Sequence, residues 1–286
     1  MGDKILFYLD SGSYSNPYDC LLAYDNGYNK VMTYFDVDKR KALKILHDVI
    51  FARKKKDIKN TVFFIGGSDV KRAEECYNTL KDFLLISKVH PISLIFDPNG
   101  VYTTIVAMLI KMKKQIKNLE GRRILILGGT GAIGQCIALI LAEKKALVTI
   151  TSRNRDKLND VLAQINNPNI AGFVCQCESD VCYSCENKEI ILVAGPPGVT
   201  MVKKETIAKL RPMLLYDVSA IKPLGIENFN KREDLEELKK RAVCVDGEEI
   251  GTLKNKIEKK ILKDVLEKTM FYGKEEILNF ATHENY

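Results

Sequence analysis

Apolar residues along this chain fall into short uninterrupted runs, each followed by a longer stretch where they recur every three or four positions. Continuous runs bounded by turn residues predict buried strands, and the wider spacing predicts amphipathic helices. In the first hundred residues the strands fall at Lys4–Leu9, Val31–Phe35, Asn60–Ile65 and Pro91–Phe96. The helices between them cover Tyr18–Tyr24, Lys39–Ile50, Val70–Leu84 and Thr103–Ile116. Asn16-Pro17 supplies a cap and a first-turn proline, and Lys39–Ile50 carries its apolar stripe at 42, 43, 45, 46, 49 and 50.

From Arg122 the alternation starts again. It predicts a strand from Arg123, strands 146–151 and 170–175 around helix 155–165, then strands Glu189–Val193 and Met213–Val218 around helix 203–210. Val243–Val245 is a short last strand, followed by helices Thr252–Lys268 and Lys274–Phe280. Strands alternating with helices imply parallel sheets joined by right-handed crossovers. The fold class is therefore α/β, with two α/β domains. Residues 1–117, joined by the C-terminal helices at about 247–286, form an N-terminal substrate domain; 118–246 form a Rossmann-type dinucleotide-binding domain. The turns at 66–69, 97–100, 128–134, 194–198 and 217–226 all follow strands, where α/β proteins place their ligands, and are expected to share one cleft.

Composition narrows the class. The chain has 286 residues, 46% apolar and 28% charged, as in a soluble globular protein. No apolar run approaches the ~18 residues of a membrane span, and Met1-Gly-Asp-Lys4 has no signal-like apolar stretch. A cytoplasmic protein without membrane or nucleic-acid partners is expected. The net charge of +7 comes largely from runs such as Arg53-Lys-Lys-Lys56 and Lys259-Lys260, ordinarily solvated faces. The same field favours an anionic substrate or cofactor.

The densest chemistry lies in Arg123-Ile-Leu-Ile-Leu-Gly-Gly-Thr-Gly-Ala-Ile-Gly134. A strand running into Gly129-x-Gly131-x-x-Gly134 and then a helix is the dinucleotide-binding arrangement. Gly129 is expected at the tight turn, Gly131 where backbone approaches a pyrophosphate, and Gly134 where helix meets strand. Thr130, Ala132 and Ile133 complete the loop, whose free N–H groups would hold the phosphates. An NAD site places Asp or Glu at the end of the second strand. Here that end reads Thr151-Ser152-Arg153, a hydroxyl and a guanidinium suited to a 2′-phosphate. NADP is the expected cofactor, with NAD the weaker alternative; a solvated loop arginine is the competing reading. Ala194 and Gly195 follow a later strand of the same sheet and are expected beside the nicotinamide ribose, with Gly198 close behind.

Eight cysteines in a cytosolic chain are expected to be reduced thiols. Cys175-x-Cys177-x4-Cys182-x2-Cys185 has enough thiols for tetrahedral zinc, but Cys175 and Cys177 read as one face of a strand, so plain thiols are the default and no metal is assigned.

Taken together, several segments resemble the NADP-dependent methylene-tetrahydromethanopterin and methylene-tetrahydrofolate dehydrogenases. They are Ile5-Leu-Phe-x-x-Asp10, Pro17-Tyr18-Asp19, Tyr24-Asp25-x-Gly27, Val62-Phe-Phe-Ile-Gly-Gly-Ser-Asp69 and Asp97-x-Asn99-Gly100-x-x-Thr103-Thr104. In the second half they are Gly129-Thr-Gly131, Ser152-Arg153, Ala194-Gly195, Pro223-Leu-Gly-Ile226 and Gly251-x-Leu253-Lys254. Two departures stand out: Val245-Asp-Gly-Glu-Glu249 replaces a glycine-rich turn, and the cysteine-rich segment has no counterpart.

The resemblance implies a reduced pterin one-carbon carrier as substrate, a hydride passed from its methylene group to NADP, and a homo-oligomer, perhaps a trimer. It implies Lys254 as the polar side chain nearest the pterin, hydrogen bonding the pterin carbonyl or orienting the ring. Asp19, Asp97, Asn99, Gly100 and Thr103 are the substrate-binding candidates, and none of His47, His90 and His283 is needed. The bland readings are a solvated lysine at Lys254, a structural turn at Asp97–Gly100, and helix capping by Asp19 and Asp69. A shikimate-type or amino-acid-type NADP dehydrogenase using a Lys–Asp pair, and an NADP-binding redox sensor built on the cysteines, are the alternatives.

Overall fold

The computed structural model describes residues 2–87, 91–209, 213–218, 224–227, 242–245 and 247–282. The turn expected at 217–226 is therefore seen only in part, and Pro223, Asp246, His90 and His283 lie outside the described residues. Contacts divide the chain into Met1–Val106 with Lys254–Tyr286, and Ala107–Leu253.

The first unit is built on β1 (Ile5–Asp10), β2 (Lys30–Tyr34), β3 (Thr61–Gly66) and β4 (Ser93–Phe96), all parallel. Every residue of β1, β3 and β4 is buried, the expected pattern for inner strands covered on both faces. β2 is an edge strand and is exposed or half-buried throughout. The helices are α1 (Pro17–Asp25), α2 (Lys39–Ala52), α3 (Val70–Ser87) and α4 (Val101–Gln115). Their starts follow capping chemistry. Asn16 accepts from the Tyr18 amide at 3.0 Å, Asp38 from Lys41 at 2.8 Å and Asp69 from Arg72 at 3.0 Å. Asp69 is thus a cap, as its bland reading has it. His47 packs edge-on against Phe83 at 4.8 Å, a contact near the surface since His47 is exposed.

The second unit carries β5 (Arg123–Leu127), α5 (Ala132–Glu143), β6 (Leu147–Ser152), α6 (Arg155–Ile165), β7 (Ile170–Val174), α7 (Glu178–Cys185), β8 (Ile190–Val193), α8 (Lys204–Lys209), β9 (Met213–Asp217) and β10 (Ala242–Val245). Its strands run parallel in the order β10-β9-β8-β5-β6-β7. This is the doubly wound dinucleotide-binding order.

α9 (Gly247–Glu267) follows, then β11 (Phe271–Tyr272) and α10 (Lys274–Leu278). β11 pairs with Leu94 and Ile95 of β4, giving the first sheet the order β11-β4-β3-β1-β2. Ser93 ties this return down: its hydroxyl donates to the Val265 carbonyl at 3.2 Å and accepts from the Met270 amide at 3.1 Å.

Several expectations are corrected. The helix expected at Thr252 begins at Gly247, where Glu248 and Glu249 complement the positive helix end. The division into units falls inside α4, after Val106, and inside α9, after Leu253. Cys177 does not extend a strand. β7 stops at Val174, and Asp180 accepts from the Gln176 and Cys177 amides at 2.8 and 3.1 Å, opening α7. α7 is short and polar with little apolar periodicity, so the pattern gave it no signal. Two-residue β11 was missed because its pairing is entirely tertiary. The last helix is a single α segment, 274–278, tightening to a 3-10 turn over Asn279–Thr282.

Candidate functional site

In doubly wound sheets the ligand crevice lies beyond the carboxyl ends of the strands where the order reverses. In the second unit that point is between β5 and β8, ending at Gly128 and Ala194. A cavity of about 670 Å³ opens there. Thr130, Gly131, Ser152, Arg153, Ala194 and Gly195 all line it.

The glycines divide their work differently from the expectation. Gly128, one position earlier than expected, takes φ +75 and supplies the turn, and a Cβ on it would meet the Ala194 backbone at 2.7 Å. A Cβ on Gly129 would strike Ile150 of β6 at 2.5 Å, and one on Gly134 would strike Gly129 at 2.7 Å, so both serve strand–helix packing. Gly131 differs. Its φ is an ordinary −81, and a Cβ there would meet only the Gly128 carbonyl oxygen, at 3.5 Å. Nothing inside the protein demands glycine at that position. It caps α5 without any side-chain cap, leaving first-turn N–H groups without a side-chain acceptor, and it lines the cavity. The cradle fits a dinucleotide pyrophosphate. Ala132, Ile133, Gly129 and Gly134 are not on the cavity wall.

At the end of β6, the Ser152 hydroxyl accepts from the Asn154 amide at 3.1 Å, and Asn154 caps α6 through the Lys157 amide at 2.9 Å. Arg153 is exposed and Lys157 stands on the same wall. Sequence reasoning missed Lys157, Gln176, Cys177 and Lys203, which also line the cavity. Lys203 is paired with Glu178 at 2.5 Å. Among the described residues no group of three or more His, Cys, Asp or Glu is placed to hold a metal.

The first unit reverses its order between β1 and β3, and a second constellation lies near the carboxyl ends of β1 and β4. After β4, Asp97 is 1% exposed and is engaged by the start of α4. Its Oδ1 accepts from the Tyr102 amide at 2.8 Å and its Oδ2 lies 2.5 Å from the Thr103 hydroxyl. Thr103 Oγ1 is also 3.2 Å from Glu258 Oε1. Glu258, in α9, accepts from Lys254 Nζ at 2.5 Å and from the Tyr18 hydroxyl at 3.0 Å. Lys254 Nζ lies 4.6 Å from the centre of the Tyr18 ring, a cation–π contact. Gly100, at φ +65, lets Lys254 pass: a Cβ there would be 2.6 Å from Lys254 Cε. Asp19 is buried, accepting from the Tyr8 hydroxyl at 2.9 Å and the Asn16 amide at 3.1 Å.

Burial, and then the Glu258 charge, raise Asp97 to about 7 and Asp19 to about 6, with Lys254 opposing. Burial works against the Lys254 ammonium, but the charges of Glu258 and Asp97 outweigh it and hold its pKa above that of an ordinary lysine. Lys254 is therefore an enclosed, permanently charged side chain rather than a solvated one. The structure gathers Lys254, Asp97, Gly100, Thr103 and Asp19; Asn99 is exposed on the turn beside them, at φ +53. Glu258 and Tyr18 were missed. The i,i+4 spacing of Lys254 and Glu258 on a helix was the available signal.

Comparisons with known proteins agree with this division. Residues 17–99 match the family model for the N-terminal part of methylene-tetrahydromethanopterin dehydrogenase, and 123–220 match the model described as NADP oxidoreductase, coenzyme F420-dependent. An NAD(P)-dependent methylenetetrahydromethanopterin dehydrogenase of Methylorubrum extorquens is 25% identical over 281 residues, 93% of each chain. The bifunctional protein MdtA of the same organism is 24% identical, covering 98% of this chain and 99% of its own. Among solved structures, 5-ketofructose reductase of Gluconobacter sp. strain CHM43 aligns over 99% of both chains at 16% identity with a TM-score of 0.48. Rossmann unit, open glycine cradle and family matches together define an NAD(P)-dependent oxidoreductase. More narrowly, residues 17–99 are similar to the N-terminal part of the methylene-tetrahydromethanopterin dehydrogenases, and the chain resembles two Methylorubrum proteins over nearly its whole length.

Proposed function

We propose that this protein transfers a hydride between the methylene group of methylene-tetrahydromethanopterin, or its tetrahydrofolate counterpart, and NADP, giving the methenyl form in one-carbon metabolism. One observation carries the reading: the segment matched to the family's N-terminal model, 17–99, contains Tyr18, Asp19 and Asp97 of the enclosed Lys254 cluster.

In the oxidative direction the methylene C–H bond breaks and the hydrogen leaves with both electrons. NADP, when bound, would supply the hydride acceptor at its nicotinamide C4. The positive charge left on carbon is shared with the two flanking nitrogens, and no proton is released in the step. A general base is accordingly unnecessary, and the protein's task is to position, to exclude water and to tune charge. Lys254 hydrogen bonds or orients the pterin ring while Glu258 balances its charge, keeping a net cation from facing the forming methenyl group. Ser152, Arg153 and Lys157 supply donors and positive charge for a 2′-phosphate, which supports NADP over NAD. The Gly131 cradle takes the pyrophosphate, and Ala194 and Gly195 flank the ribose beyond it.

The test is a side-by-side assay with methylene-tetrahydromethanopterin and methylene-tetrahydrofolate, each with NADP and NAD. The expected result is reduced NADP formed together with methenyl absorbance on at least one carrier. Absence of pterin-dependent reduction of either nucleotide would overturn the reading.

A further inference from the structure

Glu258 is a third carboxyl enclosed with Asp19 and Asp97 around a single lysine, and it neither gives nor takes hydrogen in the hydride step. Its surroundings are fully specified. Oε2 accepts from the Tyr18 hydroxyl of α1 at 3.0 Å. Oε1 accepts from Lys254 and lies 3.2 Å from the Thr103 hydroxyl of α4. Lys254 and Glu258 side chains are 18% and 6% exposed. A buried ammonium is costly without a partner, and losing one member of such a pair leaves the other charge uncompensated.

Thr103 decides how the three carboxyls coexist. Its hydroxyl has one hydrogen but two carboxyl oxygens in reach, Asp97 Oδ2 at 2.5 Å and Glu258 Oε1 at 3.2 Å. It cannot donate to both. Both contacts are satisfied when Asp97 carries a proton and donates it to Thr103 Oγ1, leaving the Thr103 hydrogen for an ionised Glu258. The chain then runs Asp97 to Thr103 to Glu258, with Lys254 donating to Glu258 from the other side.

We propose that Glu258 is the positioning residue of the site: held in place by Thr103 and Tyr18, it fixes the direction of Lys254 and partners its ammonium. This rests on the reading that Lys254 faces the pterin. The groups facing Lys254 are Glu258 on its own helix α9, Tyr18 and Asp19 from α1, and Asp97 after β4. Of these, Glu258 alone bonds the ammonium directly.

The test compares E258Q, E258D, K254M and the double variant K254M/E258Q in the full chain, reading kcat/KM for the pterin across pH alongside NADP affinity. E258Q is expected to lower kcat/KM by about tenfold or more, an effect the size of one lost charged contact. Its activity is also expected to fall away at lower pH than wild type, because an uncompensated buried Lys254 gives up its proton sooner. E258D, which keeps the charge, is expected to restore the pH profile towards wild type, and NADP affinity is expected to stay unchanged. In the double variant the Glu258 change is expected to add nothing to K254M, as for two residues acting through one contact. Additive losses, or an E258Q profile matching wild type while K254M is impaired, would overturn the assignment. Wild-type turnover in K254M would instead remove the Lys254 reading beneath it. Far-UV circular dichroism and thermal melts report whether each variant has folded.

Discussion

Lys254 Nζ donates to Glu258 Oε1 at 2.5 Å, one helical turn away on the buried side of α9, and this pair sets the electrostatics of the first unit's site. An exposed i,i+4 pair would contribute only a few tenths of a kcal/mol. Here both partners are enclosed beside Asp97 and Asp19, so the pair matters through the charge it places rather than through the stability it adds. K254A is expected to reduce kcat/KM for the pterin by about tenfold or more, the scale of one lost charge-assisted contact. Steady-state kinetics check this; unchanged turnover and pterin affinity would remove Lys254 from the site.

Arg153 at the end of β6, with Ser152 and Lys157, gives the nucleotide specificity its prediction. R153A is expected to lower the NADP-to-NAD ratio of kcat/KM by about tenfold, most of it from NADP, since in the proposed complex the guanidinium would pair with a 2′-phosphate that NAD lacks. Parallel assays with the two nucleotides read the ratio, and an unchanged ratio contradicts the role.

The glycines of the cradle make opposite predictions. G131A places a methyl group in open space 3.5 Å from Gly128 O, so Tm is expected to hold while NADP affinity falls sharply. G134A drives its Cβ to 2.7 Å from Gly129 Cα and 2.8 Å from Gly128 O, backbone that has no room to move, so Tm is expected to fall. Thermal melts and equilibrium binding separate the two outcomes.

Much of this was legible beforehand because the inner strands are continuous apolar runs and the caps are Asn and Asp at their usual places. Asn16, Asp38 and Asn154 mark helix starts that the sequence already displays. Two kinds of information were hidden. Gly128 rather than Gly129 makes the turn, a one-residue matter settled by which backbone meets Ala194. Glu258 joins the site only because α9 brings residue 258 beside Thr103, a contact across 155 positions that no local pattern encodes.

Asp97 and Asp19 also predict a pH dependence of stability. Their folded values, about 7 and about 6, lie above the ordinary carboxyl value of 3.8. Between these limits the folded state binds more protons than the unfolded chain, so stability falls as pH rises from about 4 to about 7. D97N mimics the protonated acid and is expected to flatten that fall. Its stability relative to wild type should therefore be greater at about pH 8, above the window, than at about pH 5, where most of the fall is still to come. Denaturant titrations at the two pH values read the difference; an unchanged slope for D97N would contradict the protonated Asp97.

Direct transfer of hydrogen is best tested with carrier whose methylene group is deuterated. The account predicts that deuterium appears at C4 of the reduced NADP, one atom per methenyl group formed and none from solvent. Reduced NADP without deuterium, or deuterium washed out into water, would contradict a hydride step between the two.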